Sequence, residues 1–133
     1  MKSKIIIMAL LLAVSIGACN KYADGPGLSL RTRTARLSNT WKVENYKVNG
    51  ADFTSLVTNY TETFSSDGSY SYHWGLLDGT GKWVFQNNDT EVKITGTDNQ
   101  SSRTLVILKL ENKTLWYTHL DGNDKQEYHL IQQ

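Results

Sequence analysis

YTETFSSDGSYSYHW, residues 60–74, decides the fold. Ser66, Asp67 and Gly68 form a three-residue hairpin loop with glycine at the left-handed position. Counting outward from that loop pairs Phe64 with Tyr70, Glu62 with Tyr72 and Tyr60 with Trp74. Side chains alternate between the faces of a strand. One face of the hairpin therefore carries Tyr60, Glu62, Phe64, Tyr70, Tyr72 and Trp74, and the other carries Thr61, Thr63, Ser71 and His73. An apolar face with a period of two specifies sheet and excludes an amphipathic helix.

The pattern continues on both sides. KWVFQ (82–86) and EVKIT (91–95) flank the turn 87–90, which sets Trp83 opposite Ile94 and Phe85 opposite Val92. SRTLVILKL (102–110), TLWYTHL (114–120) and KQEYHLI (125–131) follow, separated by Asn112-Lys113 and by Asp121 to Asp124. Upstream, TWKVENYKV (40–48) is the first strand. Its parity breaks between Val43 and Tyr46, which predicts a bulge. ADFTSLVTN (51–59) does not alternate; Asp52 is placed to cap a single helical turn there. Short connections make sequential strands pair antiparallel. Eight such strands with one apolar face hide that face, and lose their edges, by closing into an up-and-down barrel. The predicted class is thus all-β, an antiparallel eight-stranded barrel.

The inward set includes Trp41, Phe64, Trp83, Leu115, Tyr117 and Leu130, and on 102–110 it takes Val106, Leu108 and Leu110. Leu105, Ile107, Trp116 and Leu120 then form a second apolar group on the opposite face. Either the parity is inverted there, or the outside carries a patch suited to a protein partner. An eight-stranded barrel is just wide enough to be filled by side chains or to hold one small ligand. Tyr60, Glu62, Tyr72, Trp74, Tyr117, His119 and Tyr128 are the candidate ligand-binding residues, because hydroxyls and an acid on an apolar face suit an amphipathic molecule. Two placements stay open for Glu62 and His119: inside a pocket, or at the barrel rims in water.

Other chemistries find little footing. His119 and His129 fall on opposite faces of their hairpin, His73 is on an outer face, and HExxH and paired cysteines are missing, so no metal site is expected. Neither a nucleophile elbow nor a glycine-rich phosphate loop appears, so no cofactor and no enzymatic activity are expected.

The first 18 residues read as an export signal: Lys2 and Lys4, then the apolar run IIIMALLLAVSI (5–16), then Gly17 and Ala18. At roughly 1.5 Å per residue this run is too short to cross a ~30 Å hydrocarbon layer. Removing residues 1–18 takes away two lysines and no acid, which leaves 12 basic residues against 13 acidic ones. That balance argues against a nucleic-acid partner. Residues 19–36 hold the only proline and no periodicity, and read as a tether; the folded domain is expected over 37–133. Arg31, Arg33 and Arg36 are read as part of that solvated linker, within reach of anionic head groups.

Two resemblances add to this reading. Ile16-Gly17-Ala18-Cys19 resembles the bacterial lipobox, and Cys19 is the only cysteine in the chain. The resemblance implies a lipidated, N-acylated Cys19 and a membrane anchor. Asn20, where an Asp marks inner-membrane retention, favours the outer membrane. SNTW (38–41), FSSDGSY (64–70), GKWVF (81–85), VKITG (92–96) and the closing YHLIQQ (128–133) resemble the small lipocalin-like domains of Bacteroidetes lipoproteins. That likeness implies an envelope-anchored barrel that binds a small hydrophobic or amphipathic ligand. The alternative is an interaction or structural lipoprotein with a filled barrel.

Overall fold

The computed structural model describes residues 31–96 and 102–133. The predicted export signal, Cys19 and most of the predicted tether lie outside the described residues. A short helix α1 (Arg33–Leu37) leads into strands β1 (Asn39–Val48), β2 (Ala51–Asp52), β3 (Tyr60–Phe64), β4 (Ser69–Trp74) and β5 (Leu77–Gln86). Then follow β6 (Glu91–Gly96), β7 (Arg103–Leu110), β8 (Thr114–Asp121) and β9 (Asp124–Gln132). Strands β1 and β3 to β9 pair antiparallel in chain order, and β1 also pairs with β9, so eight strands close into a barrel. The two-residue β2 adds only a short ribbon to β1. No helix among the described residues is long and apolar enough to cross a membrane.

The local expectations hold where turns set the register. Phe64 faces Tyr70, Glu62 faces Tyr72 and Tyr60 faces Trp74. Trp83 faces Ile94 and Phe85 faces Val92. The expected bulge in β1 lies between Val43 and Asn45, where Glu44 is the extra residue opposite β9. It turns Trp41 and Tyr46, which differ in parity, to the same buried interior. The helical turn is Thr54–Val57; its N-cap position is held by Phe53 and not by Asp52, whose carboxylate, one residue earlier, accepts the Thr54 N–H at 2.8 Å.

Three expectations need correction. In β7, Leu105 and Ile107 face the core, while Val106 is 42% exposed and Leu108 is half-buried. The cause is a second bulge between Ile107 and Lys109, opposite β8. Leu108 is the extra residue, so Leu110 faces inward although it differs in parity from Ile107. Residues 33–36, read as tether, form most of α1 instead. Thr32 Oγ1 caps the helix by accepting the Ala35 N–H at 3.1 Å. Arg36 is not solvated: it is buried, and its Nη1 donates to the Leu110 carbonyl at 2.9 Å. Leu37 is fully buried, and its carbonyl accepts the Trp41 indole N–H at 3.0 Å. Arg33 adds an ion pair with Asp89 at 3.4 Å in the β5–β6 turn. Together these contacts pin α1 to the end of the barrel where β1 begins and β7 ends.

Strand β5 starts five residues before the expected Lys82, at Leu77. Its buried Gly79 and Gly81 lie opposite Tyr72 and Tyr70 on β4. At Gly81 an added Cβ would sit 2.5 Å from the Thr95 carbonyl oxygen on β6. Both strands are held in the sheet, so the backbone cannot give locally. We expect Gly81→Ala to cost about 1–3 kcal/mol of stability, read as a lower urea midpoint by tryptophan fluorescence. An unchanged midpoint would mean that β5 and β6 are less tightly coupled than their register implies.

Candidate functional site

The interior is not filled from end to end. At the end of α1 it is packed: Leu37, Trp41, Phe64, Leu110 and Leu115 are buried there, with Trp83 set edge-on to Phe64. Toward the other end, where β3 and β7 begin, polar side chains converge and a cavity of about 500 Å³ opens. That size lies within the roughly 300–1,000 Å³ range of small-molecule sites.

The floor of the cavity is built around Glu62. Its side chain has no exposure to solvent. Tyr117 donates its O–H to Oε1 at 2.5 Å, while Tyr70 and Tyr60 donate to Oε2 at 2.7 and 3.1 Å. Arg103 Nη2 donates to Oε2 as well, at 2.9 Å. The carboxylate thus receives three hydroxyls and a guanidinium, which is what makes burying it tolerable. Arg103 also reaches the Tyr60 oxygen at 3.2 Å and that of Tyr70 at 2.5 Å. The network joins β3, β4, β7 and β8, so it couples strands that are distant in sequence.

The electrostatics follow from this geometry. Burial, reinforced by the Glu62 charge, pushes the hydroxyls of Tyr60, Tyr70 and Tyr117 well above the ordinary tyrosine value. Tyr128 is raised too, by burial and then by its neighbours Tyr60 and Tyr46. These four remain protonated donors at any physiological pH. Burial works against the charge on Arg103, but Tyr117, Tyr60 and Glu62 outweigh it and hold the guanidinium firmly protonated.

The walls are aromatic. Tyr72 stacks on Tyr60 at 6.1 Å between centroids, and Tyr128 packs on Tyr117 at 5.0 Å and on Tyr46 at 4.7 Å. Val57 and Ile94 supply apolar surface to the same space. The rim is apolar and open: Leu56 is 63% exposed and Trp74 43%, and both line the cavity.

Of the residues singled out in the sequence, Tyr60 lines the floor, with Glu62 and Tyr117 buried beneath it, Tyr72 and Tyr128 form the wall, and Trp74 stands at the mouth. His119 is set apart from them. It is half-buried, with its ring 6.1 Å from that of Tyr128. It lines a neighbouring cleft with Arg103 and Thr104, at the point where the ladder between β7 and β8 stops at Val106 and Thr118. Burial, and then the Arg103 charge, hold its pKa below the usual histidine value. His129 stacks outside on Trp116 at 3.9 Å, and His73 pairs with the exposed Asp78. Among the described residues no three potential metal ligands cluster.

Sequence reasoning missed Arg103, the cation of the site. Arg103 precedes Leu105 by two residues and Ile107 by four, so it shares their face. The bulge that hid the true parity of β7 hid this arginine with it.

Neither a protein-family model nor a curated protein matches this chain. Solved structures that share its fold include two from Bacteroides species. One is the NMR structure of a protein from Bacteroides uniformis, 20% identical, with a TM-score of 0.55, covering 74% of this chain and 90% of the other. The second is the crystal structure of a DUF4847 family protein from Bacteroides vulgatus, 14% identical, with a TM-score of 0.53, covering 72% of this chain and 93% of the other. At these identities the likeness is one of fold.

Proposed function

We propose that this chain is an envelope lipoprotein, anchored through a lipidated Cys19, whose barrel binds a small amphipathic molecule and performs no catalysis. The reading rests on one observation: a ring-walled cavity of about 500 Å³ that ends on a buried, hydrogen-bonded polar floor. A barrel serving only as a docking block has no need for such a space. The competing reading leaned on an outer apolar patch. Leu105 and Ile107 turn inward and Trp116 is half-buried against His129, so of the four residues of that patch Leu120 alone is largely exposed, with Val106 also open on that side of the barrel. The lipobox-like IGAC and the neutral charge balance support anchoring over nucleic-acid binding.

The test is native mass spectrometry of the protein purified from its own host, with membrane fractionation of wild type and Cys19→Ala. We expect a stoichiometric small-molecule adduct. We also expect the wild type in the envelope membrane fraction, by our reading the outer membrane, and loss of Cys19→Ala from it. Consistent absence of an adduct, together with no uptake of a neutral dye, would remove the binding role; membrane attachment that survives Cys19→Ala would remove the anchor.

A further inference from the structure

The floor of the cavity is unbalanced in its hydrogen-bonding capacity. Among the described residues Glu62 is the one acid beneath it, and both oxygens are taken, Oε1 by Tyr117 and Oε2 by Tyr60, Tyr70 and Arg103. A carboxylate so occupied has little acceptor capacity left for a ligand. Arg103 is in the opposite position. Among the described residues its bonds to the floor all come from Nη2. That leaves the N–H groups of Nε and Nη1 to other partners. Its side chain is 23% exposed, against none for Glu62, and it lines both the cavity and the adjoining cleft. The ion pair therefore stands with its negative end sealed in protein and its positive end partly open to the cavity and the cleft.

From this polarity we infer that the barrel selects an amphiphile with a carboxylate head, seated on the open donors of Arg103, with its apolar body along Tyr72, Tyr128 and Ile94. The inference rests on the binding role proposed above and names the chemical class of the ligand. A planar oxyanion meets a guanidinium with charge-assisted bonds roughly twice as strong as neutral ones. A neutral ester or alcohol still accepts from the guanidinium, but it brings no charge of its own and loses the ion–ion attraction and the paired, bidentate geometry. An ammonium head would place like charge against Arg103 and find the Glu62 oxygens already occupied. Trp74 and Leu56 at the mouth would meet the part of the chain that leaves the cavity.

The test uses the wild-type protein loaded with Nile red, an uncharged probe, and titrated in parallel with decanoate, methyl decanoate and decylamine. We expect decanoate to displace the probe at a concentration about tenfold or more below that of the ester, with the amine weakest. In Arg103→Gln that preference should vanish while displacement by the ester persists. The wild-type comparison stands alone if the variant does not fold. Equal displacement by acid and ester, or preference for the amine, would overturn the inference and leave the binding role intact. Failure to take up the probe or any of the three ligands would overturn both.

Discussion

Arg103→Met should lower the stability of the barrel by about 3–5 kcal/mol, the largest loss expected from any single substitution outside the packed end. The reason lies in Glu62, whose side chain is sealed from solvent and whose cationic partner among the described residues is Arg103 at 2.9 Å. Tyr60, Tyr70 and Tyr117 would still donate to it, yet three neutral hydroxyls do not offset a whole buried charge. With small domains stable by roughly 5–15 kcal/mol, such a loss is a large fraction of the total. Urea unfolding followed by tryptophan fluorescence measures it directly. The double variant Glu62→Gln, Arg103→Met deletes both charges and should recover part of the loss, since removing a buried pair costs less than breaking one. If the two single effects simply add, the pair is not coupled as its geometry requires.

The second large effect is alkaline unfolding. In the folded barrel Tyr60, Tyr70, Tyr117 and Tyr128 all hold their protons well above the ordinary value near 10. In the unfolded chain they titrate at that ordinary value. Below pH 10 both states are protonated and the stabilisation from these residues is fully present. Above it the unfolded chain releases protons that the folded barrel retains, so stability falls as pH rises. Each tyrosine contributes a slope of about 1.4 kcal/mol per pH unit, and four together reach on the order of 5. The barrel should therefore unfold within about one to three pH units above 10. Absorbance at 295 nm and far-ultraviolet circular dichroism should report one shared transition for these hydroxyls and the sheet. Gradual ionisation with the sheet intact would show that the hydroxyls are less enclosed than their burial indicates. Tyr70→Phe removes one of the four groups and should flatten the slope by about a quarter.

Both predictions draw on a network whose members come from four strands, and that bears on how much of the site was legible. The face that Glu62 shares with the tyrosines was visible because its own hairpin fixes it, but whether that face put the acid in a pocket or at a rim was not. Its partners were harder to place. Tyr117 and Arg103 lie 55 and 41 residues away, and no local spacing announces that they meet. Arg103 was lost to a single extra residue, Leu108. A strand has a period of two, so one inserted residue inverts every side chain beyond it. The β1 bulge was legible because Trp41, Val43 and Tyr46 conflict openly within a few residues. In β7 the run LVIL is apolar at every position, so either parity looks acceptable until β8 is laid beside it.

The sequence alone determined the class, the eight-strand count and the pairing inside the hairpins, because turn length and alternation act between residues close along the chain. Only the tertiary structure decided which face of β7 is inside, that Arg36 docks under the barrel, and that Glu62 meets Arg103 at the bottom of an open cavity. Those outcomes depend on contacts between distant strands, where the neighbour across the sheet, and not the next residue, sets the lower energy.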